Sequence, residues 1–200
     1  MKEPEDEPGG RRARKRAETH ARIQSAALSL FLRDGFDAVT LDHIAEAADV
    51  SRRSLFHYFG SKEEIVLSAK GGLGALLAEA VAQRPPAEPL LVMAENALKE
   101  VAAHFQGPEP KAIARLIALT PSLRAGDHAK HEEVEQVLAA ALAARKGLPE
   151  ESEPVQVTAL LATAILRRST EQWLESTDDS GPDSWGRRAF EALRRLVAEA

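Results

Sequence analysis

Arg52, Arg53, Ser54, His57 and Tyr58 stand close together within the run TLDHIAEAADVSRRSLFHYFGSK at residues 40–62. On a short helix capped by Ser51 they share the outer side, while Leu55, Phe56 and Phe59 turn inward. Guanidinium, hydroxyl, imidazole and phenol groups on one face suit hydrogen bonding to nucleobase edges and phosphates, and an arginine can hold guanine through two hydrogen bonds. Arg52, Arg53, Ser54 and His57 are therefore candidates for base edges, with a merely solvated face as the alternative. An earlier short helix, capped by Thr40 and running over Leu41–Ala48, buries Leu41, Ile44, Ala45 and Ala48, and Asp49-Val50 turns the chain. Two short helices across a tight turn, the second with a basic outer side, form the helix-turn-helix layout. In it the second helix lies in the major groove of double-stranded DNA.

The surrounding elements must hold that pair. Ile23, Ala26, Ala27, Leu30 and Phe31 recur at helical spacing and predict a first helix over Arg16–Asp34 that ends on Gly35. Gly60 breaks the recognition helix, and Ser61 with Glu64 forms a capping box for a long helix reaching about Gln83. Gly71, Gly72 and Gly74 weaken that helix in the middle, marking either a bend or the close approach of another helix. Lys62 sits at its start, where exposed amides and its own charge can hold a phosphate. Arg84-Pro85-Pro86 punctuates the chain. Further helices are expected over about Leu90–Phe105, Pro110–Leu119, His128–Lys146, Pro154–Glu175 and Ser184–Glu199, with prolines in the gaps.

The chain has 200 residues, is 44% hydrophobic and only 4% aromatic, and shows no alternating β-branched runs. That favours an all-α fold of about nine helices. The formal charge is -5, yet residues 11–33 hold seven Arg/Lys against one acid, Glu18. A basic front on an acidic body suits a module that meets phosphate with one end. The run Arg11–Arg16 reads either as a flexible arm for phosphate or minor groove, or as a solubilising tail. Residues 1–15 are expected to be a disordered tail, residues 16–62 the DNA-contacting part and residues 63–200 a helical regulatory and dimerisation part. The long connecting helix joins the last two. The chain lacks cysteine, which excludes disulfides and thiolate chemistry, and no run of eighteen uninterrupted apolar residues predicts a membrane span. The acidic, Pro- and Gly-containing start does not read as a secretion signal, so a cytoplasmic location is expected.

The stretch from Thr19 to Ala69 resembles the TetR family of bacterial transcription regulators. The resemblance rests on Ile23, Ala26-Ala27, Leu30-Phe31, Gly35-Phe36, Thr40, Ile44-Ala45, Ala48, Val50-Ser51, Leu55, Tyr58-Phe59 and Ser61-Lys62-Glu63. Arg53 stands where that family commonly has a small residue, and Phe56 where it has tyrosine. The resemblance implies a homodimer on a palindromic operator, with backbone contacts from Thr40, Tyr58 and Lys62; Tyr58 could instead be core. It also implies that the last two helices pair between subunits. Their stripes include Leu161, Ile165 and Trp173, then Phe190, Leu193 and Val197, with ordinary monomer core as the alternative. A small-molecule pocket is implied between Lys62 and Lys146. Met93, Leu98, His104, Phe105, Arg115, Leu116, Leu119 and Leu123 could line it, or could simply be core. An apolar lining with Arg115 would suit a hydrophobic or acyl-type ligand with an anionic group.

The expected function is a repressor released from its operator by a small hydrophobic ligand. The alternative is a ligand-independent activator or DNA-organising protein of the same fold. An enzyme is not expected, since no nucleophile elbow or phosphate loop is present. No cofactor or metal is expected either. His128-x-x-His131, followed by Glu132 and Glu133, has the helical spacing of a metal pair but reads more simply as polar surface.

Overall fold

A computed structural model describes residues 8–69, 72–177 and 181–198. It divides into two compact units, one ending at Ala69 and the other following it. Among the described residues there are ten α-helices, one 3-10 turn and no strands. The tenth helix arises because the expected connecting helix is two helices.

In the first unit, α1 (Pro8–Asp34) is followed by α2 (Leu41–Ala47), α3 (Arg52–Phe56) and α4 (Lys62–Ser68). Helix α1 starts well before Arg16, so the basic run is helical and not a loose tail. Alanine and arginine are strong helix formers, and nothing between Gly10 and Ile23 interrupts them. Residues 1–7 lie outside the described part. Gly35, at φ +86°, ends α1 as expected, its N–H donating to Phe31 O at 3.0 Å. The core of this unit is built from Ile23, Ala27 and Phe31 of α1, Ile44, Leu55, Phe59 and Ile65, all at most 1% exposed. Phe56 departs from expectation: its ring is 48% exposed. Leu55 and Phe59 already fill the inward side of a helix only five residues long, which leaves Phe56 on the rim.

The second unit comprises α5 (Leu73–Ala82), α6 (Leu90–Ala102), a 3-10 turn (Ala103–Phe105), α7 (Pro108–Leu119), α8 (Pro121–Lys146), α9 (Glu153–Glu175) and α10 (Pro182–Ala198). Both readings of the glycines have a structural counterpart. Gly72 adopts φ +95° ahead of α5, a conformation glycine takes without steric cost. At Gly74 a β-carbon would stand 3.4 Å from Val137 of α8, so its absence lets the two helices approach. Gly71 lies outside the described residues. Helix α8 begins at Pro121 and not near His128, since a proline in the first turn is pre-set for helix and loses no needed N–H. Leu77, Met93, Leu138, Leu142, Val155, Ala159 and Phe190 pack one continuous core. The Arg84-Pro85-Pro86 link is tied down from two sides. Arg84 and Asn96 both hydrogen-bond Glu88, and Lys146 Nζ donates to the Pro86 and Glu88 carbonyls at 2.7 and 3.0 Å. The Arg84 guanidinium keeps the Glu88 carboxyl below its usual range.

Residues Lys62–Ala82 together reach the length and mean hydropathy, 1.5, of a membrane span. They are nevertheless two helices parted at Gly72, with Ile65, Leu77 and Val81 fully enclosed at 0% exposure.

Candidate nucleic-acid interface

Helix α3 is positioned by capping at both flanks. Ser51 Oγ accepts from Ser54 N–H at 3.1 Å and lies 2.9 Å from Ser54 Oγ, so these two hydroxyls serve the turn. Asp49 takes φ +49°, which a short polar side chain tolerates, and so aims the chain into α3. Thr40 caps α2 reciprocally with His43: the His43 N–H reaches Thr40 Oγ1 at 3.2 Å, and the Thr40 N–H reaches His43 Nδ1 at 3.3 Å. A histidine thus takes the place usually held by Glu or Gln in a capping box.

The side chains expected to face DNA separate into distinct environments. Arg53 and His57 are exposed. Arg52 is exposed too, but its guanidinium donates to both Asp42 oxygens, at 3.1 and 2.8 Å, and sits 5.8 Å above the Phe56 ring. This pair is solvated on both sides and worth roughly 0–1 kcal/mol, weak enough for a base or phosphate to displace. Tyr58 is half-buried. It lines an open groove of about 830 Å³ whose opposite wall is Arg12, Lys15, Arg16 and Thr19 of α1. Ser51, Ser54 and His57 complete the near wall. Positions 12, 15, 16 and 19 repeat at helical spacing, so α1 turns one basic face toward the recognition helix. Thr19 was not foreseen. The signal for it was present, because Arg12, Arg16 and Thr19 continue the phase of Ile23 and Ala27.

Lys62 does not extend into solvent. Its Nζ donates to Phe36 O at 2.9 Å and Val39 O at 2.8 Å, with the ammonium 4.6 Å from the Phe36 ring centroid. This ties the α1–α2 link, and with it Thr40, to the start of α4. Lys62→Met should therefore lower the stability of this unit by about 1–3 kcal/mol, because two carbonyls lose a charged donor. Thermal unfolding checks this. Unchanged stability with a shallower salt dependence of DNA binding would restore the direct phosphate contact.

Residues 23–69 match the family model for bacterial regulatory proteins of the TetR family, and residues 88–198 match that of the MftR C-terminal domain. The chain is also 31% identical over 179 residues to the HTH-type transcriptional regulator TcmR of Streptomyces glaucescens, covering 84% of this chain and 79% of that one. The chain belongs to the TetR family. Solved TetR-family structures share the fold. NalD of Pseudomonas aeruginosa, the secondary repressor of the MexAB-OprM efflux pump, aligns at a TM-score of 0.60 with 20% identity, covering 90% of this chain and 95% of that one. The Thermus thermophilus repressor FadR in complex with lauroyl-CoA aligns at 0.56 with 23% identity, covering 89% and 93%. Like TcmR, this TetR-family chain is a transcription regulator with a helix-turn-helix at its N-terminal end.

Within the second unit of this TetR-family chain, Trp173 and Phe190 are 5% and 1% exposed and belong to the unit's own interior. They cannot present a surface to another subunit, as expected for them; the short side chains around them let α9 and α10 close over both rings. Leu161, Ile165 and Leu193 are half-buried. Val197 is 68% exposed and is joined by Val157, Leu160 and Leu196 at 45, 53 and 66%. The outward apolar face is thus rotated away from the expected one.

The expected pocket lining is scattered. Met93 and Leu123 are fully enclosed (0%) and leave no space beside them, while Leu119 is 75% exposed at the end of α7. His104 is exposed, and Phe105 and Leu116 are half-buried. Arg115 is exposed and donates to Leu174 O at 3.2 Å, tying α7 to α9. Cavities open elsewhere: about 130 Å³ between α6, α9 and α10, where Leu98 takes part, about 230 Å³ between α5 and α8, and about 260 Å³ between α7, α8 and α9. Periodicity identifies which side chains face inward, but only the crossing of helices decides where space remains. His128 is exposed, and His131 bonds Asp127 O at 2.8 Å. Among the described residues no three such side chains gather as a metal set.

Proposed function

We propose that this protein is a cytoplasmic repressor that binds a palindromic operator as a homodimer and leaves it when a small ligand enters the second unit. The observation that carries the DNA-binding half is the groove between the basic face of α1 and helix α3. It is wide, open and walled by cations on one side and by hydrogen-bonding groups on the other. A phosphate strand fits between those walls while α3 enters the major groove, Arg53 meeting base edges and Arg52 joining it once released from Asp42. The exposed Val157, Leu160, Leu196 and Val197 support pairing of α9 and α10 with a second copy, since scattered single apolar residues are ordinary but a shared face is not. Release by ligand is supported by likeness to FadR, solved with lauroyl-CoA.

The test is selection of bound duplexes from a random pool, followed by gel-shift titration of the recovered site. Arg53→Ala should cost about 1–3 kcal/mol on that site, roughly 5- to 150-fold, and relax one base position while leaving nonspecific binding intact. If Arg53→Ala bound every sequence as the parent protein does, Arg53 would have no part in base reading. If no duplex were recovered, the proposal as a whole would fall.

A further inference from the structure

The seam between α8 and α9 changes character along its length. At one end it is apolar, with Leu138 and Leu142 in the same core as Val155 and Ala159. At the other end, where α7 adjoins, the two helices contribute Arg124 and Arg167 to a single cavity of about 260 Å³. Its apolar side includes Ile117, only 2% exposed, together with Leu174. Acids also line it, but they are engaged elsewhere. Glu171 pairs with Arg168 at 3.4 Å, and Asp127 faces its own helix neighbour His131 at 3.7 Å. Neither Arg124 nor Arg167 has an ion pair or side-chain hydrogen bond among the described residues. Two guanidinium groups on adjacent helices thus share a cavity with an apolar floor and no carboxylate between them. Such an arrangement repels itself when empty and is relieved by an anion.

We infer that this cavity is a binding site for a small monocarboxylate, the planar oxyanion held by Arg124 and Arg167 and a compact apolar body resting on Ile117 and Leu174. A planar fork matches a carboxylate. The volume lies just under the usual range for drug-sized ligands, which points to a ligand of one ring or a short chain. The apolar floor would contribute nothing to inorganic phosphate. The inference rests on the proposed ligand-responsive function only for its regulatory consequence, because binding is measured without DNA.

Titration calorimetry on the full-length protein with benzoate, hexanoate, benzamide and inorganic phosphate tests it. Benzoate or hexanoate should bind saturably at one site per chain, with benzamide and phosphate at least tenfold weaker. Arg124→Gln and Arg167→Gln should each weaken the carboxylate at least tenfold while the melting temperature of the unliganded protein stays put, as expected of exposed side chains. Equal binding of benzoate and benzamide, phosphate binding as tightly as either acid, absence of any carboxylate binding, or indifference to both substitutions would each overturn the site. A gel shift with the selected operator separates the two claims. Carboxylate binding that leaves the operator occupied would support the cavity and defeat the ligand-release reading.

Discussion

Replacing Phe59 with alanine should melt the first unit while leaving the second folded. Phe59 is 1% exposed, and its ring lies 4.4 Å from that of His20, so it joins α1 to the end of the recognition segment. Removing a buried phenylalanine costs about 3–5 kcal/mol from lost transfer energy and the cavity left behind. A unit of this size has a total stability of only roughly 3–10 kcal/mol, so the loss consumes much or all of it. The two tryptophans, Trp173 and Trp185, both lie in the second unit. Tryptophan fluorescence should therefore keep its parent transition, whereas circular dichroism should show part of the helix signal lost at lower temperature, and operator binding should disappear. A single shared transition shifted equally in both signals would show that the units do not unfold separately.

The triple change Arg12→Gln, Lys15→Gln and Arg16→Gln should remove most of the salt dependence contributed by α1. Each phosphate neutralised adds about 0.9 to the slope of log affinity against log salt, so three contacts account for about 2.7. Between 50 and 200 mM salt, the parent should therefore lose roughly 40-fold more affinity than the variant. Base preference should be unchanged, since these side chains line the groove and do not lie on α3. Gel-shift titrations across that salt range on the selected operator, and on an unrelated duplex, measure both effects. Equal slopes for parent and variant would return the run to a solubilising role.

Much of the first unit was legible because its signals are local. Thr40, Ser51 and Ser61 each cap a helix through a neighbour three residues away, and Gly35 ends α1 through a backbone bond four residues back. Such interactions need no knowledge of the rest of the chain. Lys62 was misread for the opposite reason: the carbonyls it holds belong to Phe36 and Val39, far away in sequence. Phe56 was misread because periodicity sorts a five-residue helix poorly, and its neighbours had already filled the interior. The basic run was seen, but its helical state was not, since the tail's composition outweighed the helix propensity of Arg11–Arg16.

In the second unit, the amino-acid order alone determined that helices would form, where prolines would separate them, and that their inward faces would share a core. Local propensity and 3.6-residue spacing are enough for that. Only the tertiary structure decided that Trp173 and Phe190 lie inside, that Val157 and Leu160 lie outside, and that Arg124 meets Arg167 across one cavity. Those outcomes depend on the rotation and crossing of helices about their own axes. Rotation by a fraction of a turn exchanges a core position for a surface one without altering any local preference.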